Sequence, residues 1–165
     1  MRHLIDPLDF SQQEIASLLD LADRICADPA AYQDVAAHKK LATLFYEPST
    51  RTQMSFQTAM LRLGGTIIGF DNPSTSSVSK GENIKDTTKI VSSYADILVM
   101  RNPYEGSAKA AALTADCPVI NAGDGGHLHP TQTLTDMLTL KNEKGRLDHL
   151  KIGLCMSLIH ISEPT

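Results

Sequence analysis

The sequence predicts an α/β domain in which a central parallel sheet is flanked by helices on both faces. Short apolar runs, several of them β-branched, alternate along the chain with segments that are apolar at helical spacing. Chains with this alternation form parallel strands joined by helices and stacked in three layers. An arginine also lies just beyond two of the predicted strands, where open sheets place their ligands.

The first predicted helix starts after Ser11, which can form a capping box with Glu14, and ends at Asp28-Pro29. A polar connection leads to the first strand, residues 41–46. We expect this helix to bury a stripe formed by Ile15, Leu18, Leu19, Ala22 and Ile25.

The helix after the first strand is expected to begin with a capping box of Thr50 and Gln53 and to end at Gly64-Gly65. Its apolar positions are Phe56, Ala59, Met60 and Leu63. The later strands are predicted at residues 66–70, 95–100 and 118–121, and the later helices at 82–93, at 106–113 and from Pro130 onward.

Composition limits the classes of function. The 165 residues suffice for one domain and the beginning of another, and 42% hydrophobic with 21% charged residues is typical of a folded protein. A net charge of −4 gives no general attraction for nucleic acid. Without an apolar stretch of membrane-spanning length or a signal-peptide core, we expect a cytoplasmic protein with no membrane partner.

Metal and dinucleotide sites are not expected. Three distant cysteines predict buried thiols rather than a disulfide framework or a zinc site: Cys26, Cys117 and Cys155. His127-x-His129 has no third ligand nearby. Gly123-x-Gly125 fails as a dinucleotide fingerprint because Leu128 occupies the last glycine position.

The stretch Ser49-Thr50-Arg51-Thr52 predicts an anion site. It lies between a strand and a helix, where unpaired N–H groups and the positive end of the helix dipole meet three hydroxyls and a guanidinium. The alternative is a helix cap with a surface arginine, which accounts for only one of the hydroxyls. Arg101, beyond the strand at 95–100, is expected to join the same pocket.

Phe45-x-Glu47-x-Ser49-Thr50-Arg51-Thr52 resembles the carbamoyl-phosphate signature of the aspartate and ornithine carbamoyltransferases. Gln53 departs from the further arginine that the family often has. By this resemblance Ser49, Thr50, Arg51, Thr52 and Arg101 bind the phosphate of carbamoyl phosphate.

Two further stretches resemble the aspartate-specific members of the family. Ser76 and Lys80 match a loop that reaches into a neighbouring subunit's site, although composition alone favours a linker. Asn121-Ala-Gly-Asp-Gly, followed by His129-Pro-Thr-Gln132, matches a second signature. There the resemblance implies that His129 bonds the carbamoyl oxygen and that Gln132 bonds the carbamoyl amide.

The resemblance implies transfer of the carbamoyl group from carbamoyl phosphate to L-aspartate, in pyrimidine synthesis, by a homotrimer with or without regulatory chains. Arg51, Thr52, Arg101 and His129 are the candidate catalytic residues, with no covalent nucleophile, metal or organic cofactor. Two alternatives stay open: a carbamoyltransferase for ornithine or a related amine, and a non-catalytic anion-binding or subunit-interaction fragment.

The resemblance ends near residue 154, about halfway along a family member. We assign residues 1–150 to a carbamoyl-phosphate-binding domain and 151–165 to a truncated or aberrant start of an aspartate-binding domain. Residues 155–165 do not resemble the family. This chain alone is therefore expected to bind carbamoyl phosphate without transferring the carbamoyl group.

Overall fold

The computed structural model describes residues 1–70 and 81–153. Four strands form one parallel sheet in the order β2-β1-β3-β4. Their bounds are Lys40–Phe45 for β1, Thr66–Phe70 for β2, Ile97–Asn102 for β3 and Val119–Asp124 for β4. The predicted fold class is confirmed.

Five α-helices connect and cover these strands within the described ranges. Short 3-10 turns also occur at Pro7–Asp9 and Pro29–Tyr32. The helices are α1 Gln12–Ala27, α2 Thr50–Arg62, α3 Ile84–Ser92, α4 Ser107–Ala112 and α5 Pro130–Lys144. None of the helices in this part of the chain is both long and apolar enough to cross a membrane.

The central strand β1 contributes to a core on each face of the sheet, because successive side chains of a strand point to opposite sides. Ala42 and Leu44 belong to one buried cluster, which also contains Ala108 and Ala111 of α4. The opposite cluster holds Leu41, Phe45 and Val99 with Met60 of α2. Helices therefore cover both faces, and the layers lie as the alternation predicts.

Two strands extend farther than predicted toward the carboxyl edge. Arg101 lies inside β3 and pairs with Phe45 of β1, while Asp124 ends β4 and pairs with Asn102. The residues after the apolar runs are polar, so the sequence pattern ends before the backbone pairing does. Pairing with neighbouring strands extends both strands and places these polar side chains at one edge.

The predicted end of α2 is confirmed. Gly64 has a φ of +83°, and the Gly65 N–H donates to the Met60 carbonyl over 3.0 Å, which closes the last turn. A Cβ atom on Gly64 would lie 2.5 Å from the Gln33 carbonyl oxygen. Both the positive φ and this close approach favour glycine there.

The expectation for the cysteines is only partly correct. Cys117 is buried, and burial, followed by the nearby carboxylates of Asp96 and Asp116, raises the pKa of its thiol to about 11. Cys26 is exposed, because it lies in the last turn of α1, where Ala27 is uncovered as well. Cys155 lies outside the described residues.

Candidate anion-binding site

The predicted site residues of the described ranges gather at the carboxyl edge of the sheet. Ser49 follows β1 and is the N-cap of α2, Arg101 is the second-last residue of β3, and His129 precedes α5. The Tyr46 N–H donates to the Arg101 carbonyl over 2.8 Å, so the ends of β1 and β3 stay side by side.

α2 and α5 lack side-chain caps, as α4 does, whereas α1 and α3 have them. Ser11 caps α1 in the predicted capping box, and Asn83 caps α3. Neither Ser49 at α2 nor His129 at α5 accepts a capping hydrogen bond. Within residues 1–70 and 81–153 no side chain caps the first turn of α2 or α5, so their N–H groups and positive dipole ends are available to an anion.

The predicted capping box of Thr50 and Gln53 is wrong. Thr50 is the first helical residue rather than the N-cap, and the Gln53 N–H bonds the Ser49 carbonyl over 3.0 Å. The helix begins one residue earlier than the pattern suggested, so the Thr50 hydroxyl is in the wrong place to cap it. This hydroxyl is exposed at the helix start.

A cleft of about 540 Å³ separates the starts of α2 and α5. Residues of both first turns line it, with Arg51 and Thr52 on α2 and Thr131 and Gln132 on α5. Three of the predicted site residues therefore share one cleft, and the two uncapped helix ends approach each other across it.

Arg101 is fixed by two contacts in the structure. Its Nε donates to Glu47 Oε1 over 2.6 Å, and its Nη1 donates to the Ala122 carbonyl over 3.3 Å. The side chains of Arg101 and Glu47 are only 20% and 26% exposed. Because these contacts already hold the guanidinium, it loses little further conformational freedom when an anion binds.

His129 and Arg101 converge on the backbone of Gly123. A Cβ atom at this position would lie 2.8 Å from His129 Nε2 and 3.1 Å from Arg101 Nη1. The φ of Gly123 is +128°, which disfavours other residues as well. The missing side chain leaves room for an imidazole and a guanidinium to lie close to each other.

Gln132 presents one end of its amide to the cleft. Its Nε2 donates to Asp136 Oδ1, one turn along α5, over 2.8 Å. This bond leaves the carbonyl oxygen of the side chain as an acceptor, which is the group needed to bind an amide N–H₂.

The structure also identifies two residues of the quoted motifs that had no assigned role. Glu47 holds Arg101, and Asp124 is buried with only 2% of its side chain exposed. A carboxylate inside a glycine-rich turn often accepts backbone N–H groups, and that signal was available for Asp124. Nothing in the sequence revealed that Glu47 and Arg101 meet, because the contact requires the β1–β3 pairing.

Ser76 and Lys80 lie outside the described residues, so their predicted contribution from a neighbouring subunit stays a prediction. His127 Nδ1 lies 3.5 Å from Asp124 Oδ2. Among residues 1–70 and 81–153, no three histidine, cysteine, aspartate or glutamate side chains are grouped to hold a metal ion.

Comparison with known proteins agrees with the motifs. Residues 2–142 match the family described as aspartate/ornithine carbamoyltransferase, carbamoyl-P binding domain. The aspartate carbamoyltransferase catalytic subunit of Lachnoclostridium phytofermentans is 57% identical over 158 residues, which are 96% of this chain and 52% of that protein. The same subunit of Clostridium acetobutylicum is 59% identical over 157 residues, 95% of this chain and 51% of that protein.

Solved structures show the same relationship. The catalytic subunit of aspartate transcarbamoylase from M. jannaschii superposes with a TM-score of 0.81 at 47% identity, over 88% of this chain and 48% of that one. The Trypanosoma cruzi aspartate transcarbamoylase in complex with carbamoyl phosphate and aspartate gives a TM-score of 0.82 at 37% identity, with the same coverage of 88% and 48%. The chain spans about half the length of the curated relatives it matches.

Proposed function

Because the chain belongs to the aspartate/ornithine carbamoyltransferase family, we propose that it supplies the carbamoyl-phosphate half of an aspartate carbamoyltransferase active site. The reaction transfers the carbamoyl group to the amine of L-aspartate and gives N-carbamoyl-L-aspartate and phosphate, a step of pyrimidine synthesis. The observation that carries this proposal is the cleft onto which two helices open without side-chain caps. We assign residues 1–150 to this half.

The phosphate of carbamoyl phosphate binds at the start of α2. Free N–H groups, the hydroxyls of Ser49, Thr50 and Thr52, and the guanidinium of Arg51 surround this position, and the helix dipole adds to their attraction. Charged donors bind phosphate oxygens more strongly than neutral ones do. Arg101 lies at the neighbouring strand end and supplies a second guanidinium.

The carbamoyl group is bound on the α5 side of the cleft. As the amine attacks the carbonyl carbon, negative charge develops on the carbonyl oxygen, and Thr52, Arg101 and His129 donate hydrogen bonds to it. The oxygen of the Gln132 amide accepts from the carbamoyl N–H₂ group. The C–N bond forms, the bond to the phosphate oxygen breaks, and the amine proton leaves with the phosphate.

L-aspartate is the proposed acceptor because the quoted relatives are aspartate carbamoyltransferases. L-ornithine is the second candidate, since the matching family model covers both kinds of enzyme. None of the described residues is assigned to the acceptor.

We place the protein in the cytoplasm as a homotrimer, with or without regulatory chains, in which Ser76 and Lys80 complete a neighbour's site. Exposed apolar side chains support self-association: Met54 and Leu61, seven residues apart on one face of α2, are 60% and 59% exposed.

Activity of the assembled enzyme, in which this chain supplies the carbamoyl-phosphate half, tests the proposal. We expect N-carbamoyl-L-aspartate to form from carbamoyl phosphate and L-aspartate, with no product from L-ornithine. His129→Asn should lower kcat about 10²-fold, because the shorter side chain no longer reaches the developing oxyanion.

The matched control is His38→Asn, at an exposed histidine near the amino end of β1. Its φ of 65° is one that asparagine tolerates, so its kcat should equal that of the wild type. Turnover with L-ornithine instead of L-aspartate, or an unchanged kcat in His129→Asn, would contradict the proposal.

A further inference from the structure

Asp124 is a buried carboxylate to which the proposed mechanism assigns no contact with substrate. Its Oδ2 accepts the Gly106 N–H over 3.0 Å, and its Oδ1 accepts the Leu128 N–H over 3.0 Å. The Asn121 amide donates to the same Oδ1 over 3.3 Å. One carboxylate therefore joins the end of β4 to the loops on either side of it.

The ionised form of Asp124 is the one that the fold favours. Burial opposes ionisation, but hydrogen bonds from Gly106, Asn121, Leu128 and His127 outweigh it and hold the pKa of this carboxyl below its ordinary value. A carboxylate offers only acceptors, and the described surroundings present only donors to it. If an uncharged amide replaced the carboxylate, its N–H₂ group would face some of these N–H donors, and those hydrogen bonds would be lost.

The loop that Asp124 closes leads directly to the substrate side chains. Leu128, whose N–H it accepts, immediately precedes His129, and the Asp124 N–H donates back to the Leu128 carbonyl over 3.3 Å. Gly125 within this loop donates to the Asn102 carbonyl over 2.9 Å, next to Arg101 in β3.

Asn121 extends the same hydrogen-bond network to Gly123, beside the proposed site. Its Oδ1 accepts the Gly123 N–H over 2.9 Å, and its Nδ2 donates to the Ile5 carbonyl over 3.2 Å as well as to Asp124. Gly123 is the residue on which His129 and Arg101 converge.

We propose that Asp124 is a positioning residue for the carbamoyl end of the substrate, acting through the 125–128 loop on His129 and Gln132. This inference rests on the proposed function, because the proposed function assigns the carbamoyl group to the α5 side of the cleft. Among the described residues, the hydrogen bonds of the Asp124 side chain run to Gly106, Asn121 and Leu128, and none runs to α2, where the phosphate binds. Loss of this carboxylate should therefore weaken recognition of the carbamoyl group far more than recognition of phosphate.

Calorimetric titration of the 165-residue chain with carbamoyl phosphate and, separately, with inorganic phosphate tests the inference. In Asp124→Asn we expect the Kd for carbamoyl phosphate to rise about tenfold, since small misplacements of binding groups have large effects. The Kd for inorganic phosphate should change less than about twofold. The far-UV circular dichroism of the variant should match that of the wild type, which separates a local change from a general loss of folding.

The matched control is Asp96→Asn. Asp96 also accepts a backbone N–H, that of Lys40 over 2.9 Å, but it lies at the amino end of the sheet. Both Kd values should stay at the wild-type level in this variant. Equal weakening of both ligands in Asp124→Asn, or unchanged binding of carbamoyl phosphate, would overturn the inference while wild-type binding upheld the proposed function. If the wild type bound neither ligand, both would fail.

A second measurement needs no variant and covers the case in which Asp124→Asn does not fold. Amide hydrogen exchange of the wild-type chain should slow several-fold at Gly106 and Leu128 when carbamoyl phosphate is added. Inorganic phosphate should leave the two rates unchanged. Equal slowing by both ligands would overturn the inference.

Discussion

Arg101 shows how strongly a single side chain depends on its neighbours at this site. Two of its nitrogens already bond protein oxygens, one of them the Glu47 carboxylate at 2.6 Å. A guanidinium has five N–H donors, so these two bonds leave N–H groups on Nη1 and Nη2 with which Arg101 can bind an anion. The Glu47 carboxylate repels the anion, because it is a like charge a few ångströms away.

Replacing Glu47 should therefore strengthen anion binding by this chain. In Glu47→Gln we expect inorganic phosphate to bind about fivefold more tightly, because a nearby negative charge is removed while the volume of the side chain is kept. Calorimetry at constant ionic strength measures the change.

Glu143→Gln, at an exposed glutamate near the end of α5, serves as the control for the change in net charge. Its phosphate affinity should match that of the wild type. Weaker binding in Glu47→Gln would mean that the carboxylate orients Arg101 more than it opposes the anion, contrary to our expectation.

At the scale of elements, the helices differ in how the N–H groups of their first turns are bonded. α1 has a complete capping box, in which Glu14 N–H donates to Ser11 Oγ over 3.2 Å and Ser11 N–H donates to Glu14 Oε2 over 2.8 Å. α2 and α5 lack such bonds. The two helix starts that line the cleft lack the stabilisation that a cap provides. A bound anion can provide this stabilisation instead.

Removing the cap of α1 should destabilise the fold without affecting the site. We expect Ser11→Ala to lower the free energy of unfolding by about 1 kcal/mol, measured by urea denaturation. Ser17→Ala is the control, because Ser17 lies inside the same exposed helix and its hydroxyl bonds only the Gln13 carbonyl. A Ser11→Ala variant as stable as the control would show that the capping box contributes nothing.

Sequence patterns predicted the four described strands and the major helices, because apolar periodicity reports which side chains face a core. The expectation for the stripe on α1 was wrong, since only Leu19 is buried and Leu18 is 38% exposed. The boundaries were less accurate where polar residues continue a strand, as at Arg101 and Asp124, since backbone pairing there depends on the neighbouring strand. The predicted start of α2 was also wrong, by one residue. Thr50 and Gln53 fit a capping pattern, but the backbone enters the helix at Ser49.

At the scale of the whole molecule, sheet order explains which parts of the site the sequence could predict. Ser49 to Thr52 and His129 were recognised as motif residues, yet their approach depends on β1, β3 and β4 being neighbours. The Arg101–Glu47 ion pair and the hydrogen bonds of Asp124 also form only because these strands are neighbours in the sheet. No pattern within one segment contains that information.

The proposed carbamoyl-phosphate site belongs to a chain with a net charge of −4. Local charge and helix ends, not overall charge, must therefore attract the anion. Arg51 lines the cleft at the start of α2, while Arg62 ends the same helix and is exposed as well. The two arginines form a matched pair for a test.

Titration of the purified chain with carbamoyl phosphate, alongside Arg51→Ala and Arg62→Ala, is the most direct measurement. We predict that the wild type and Arg62→Ala bind with the same Kd and that Arg51→Ala loses at least about tenfold in affinity, since it lacks a charged donor to the phosphate. Equal affinities of the two variants, or no binding by the folded wild-type chain, would contradict the assignment of the site to this chain.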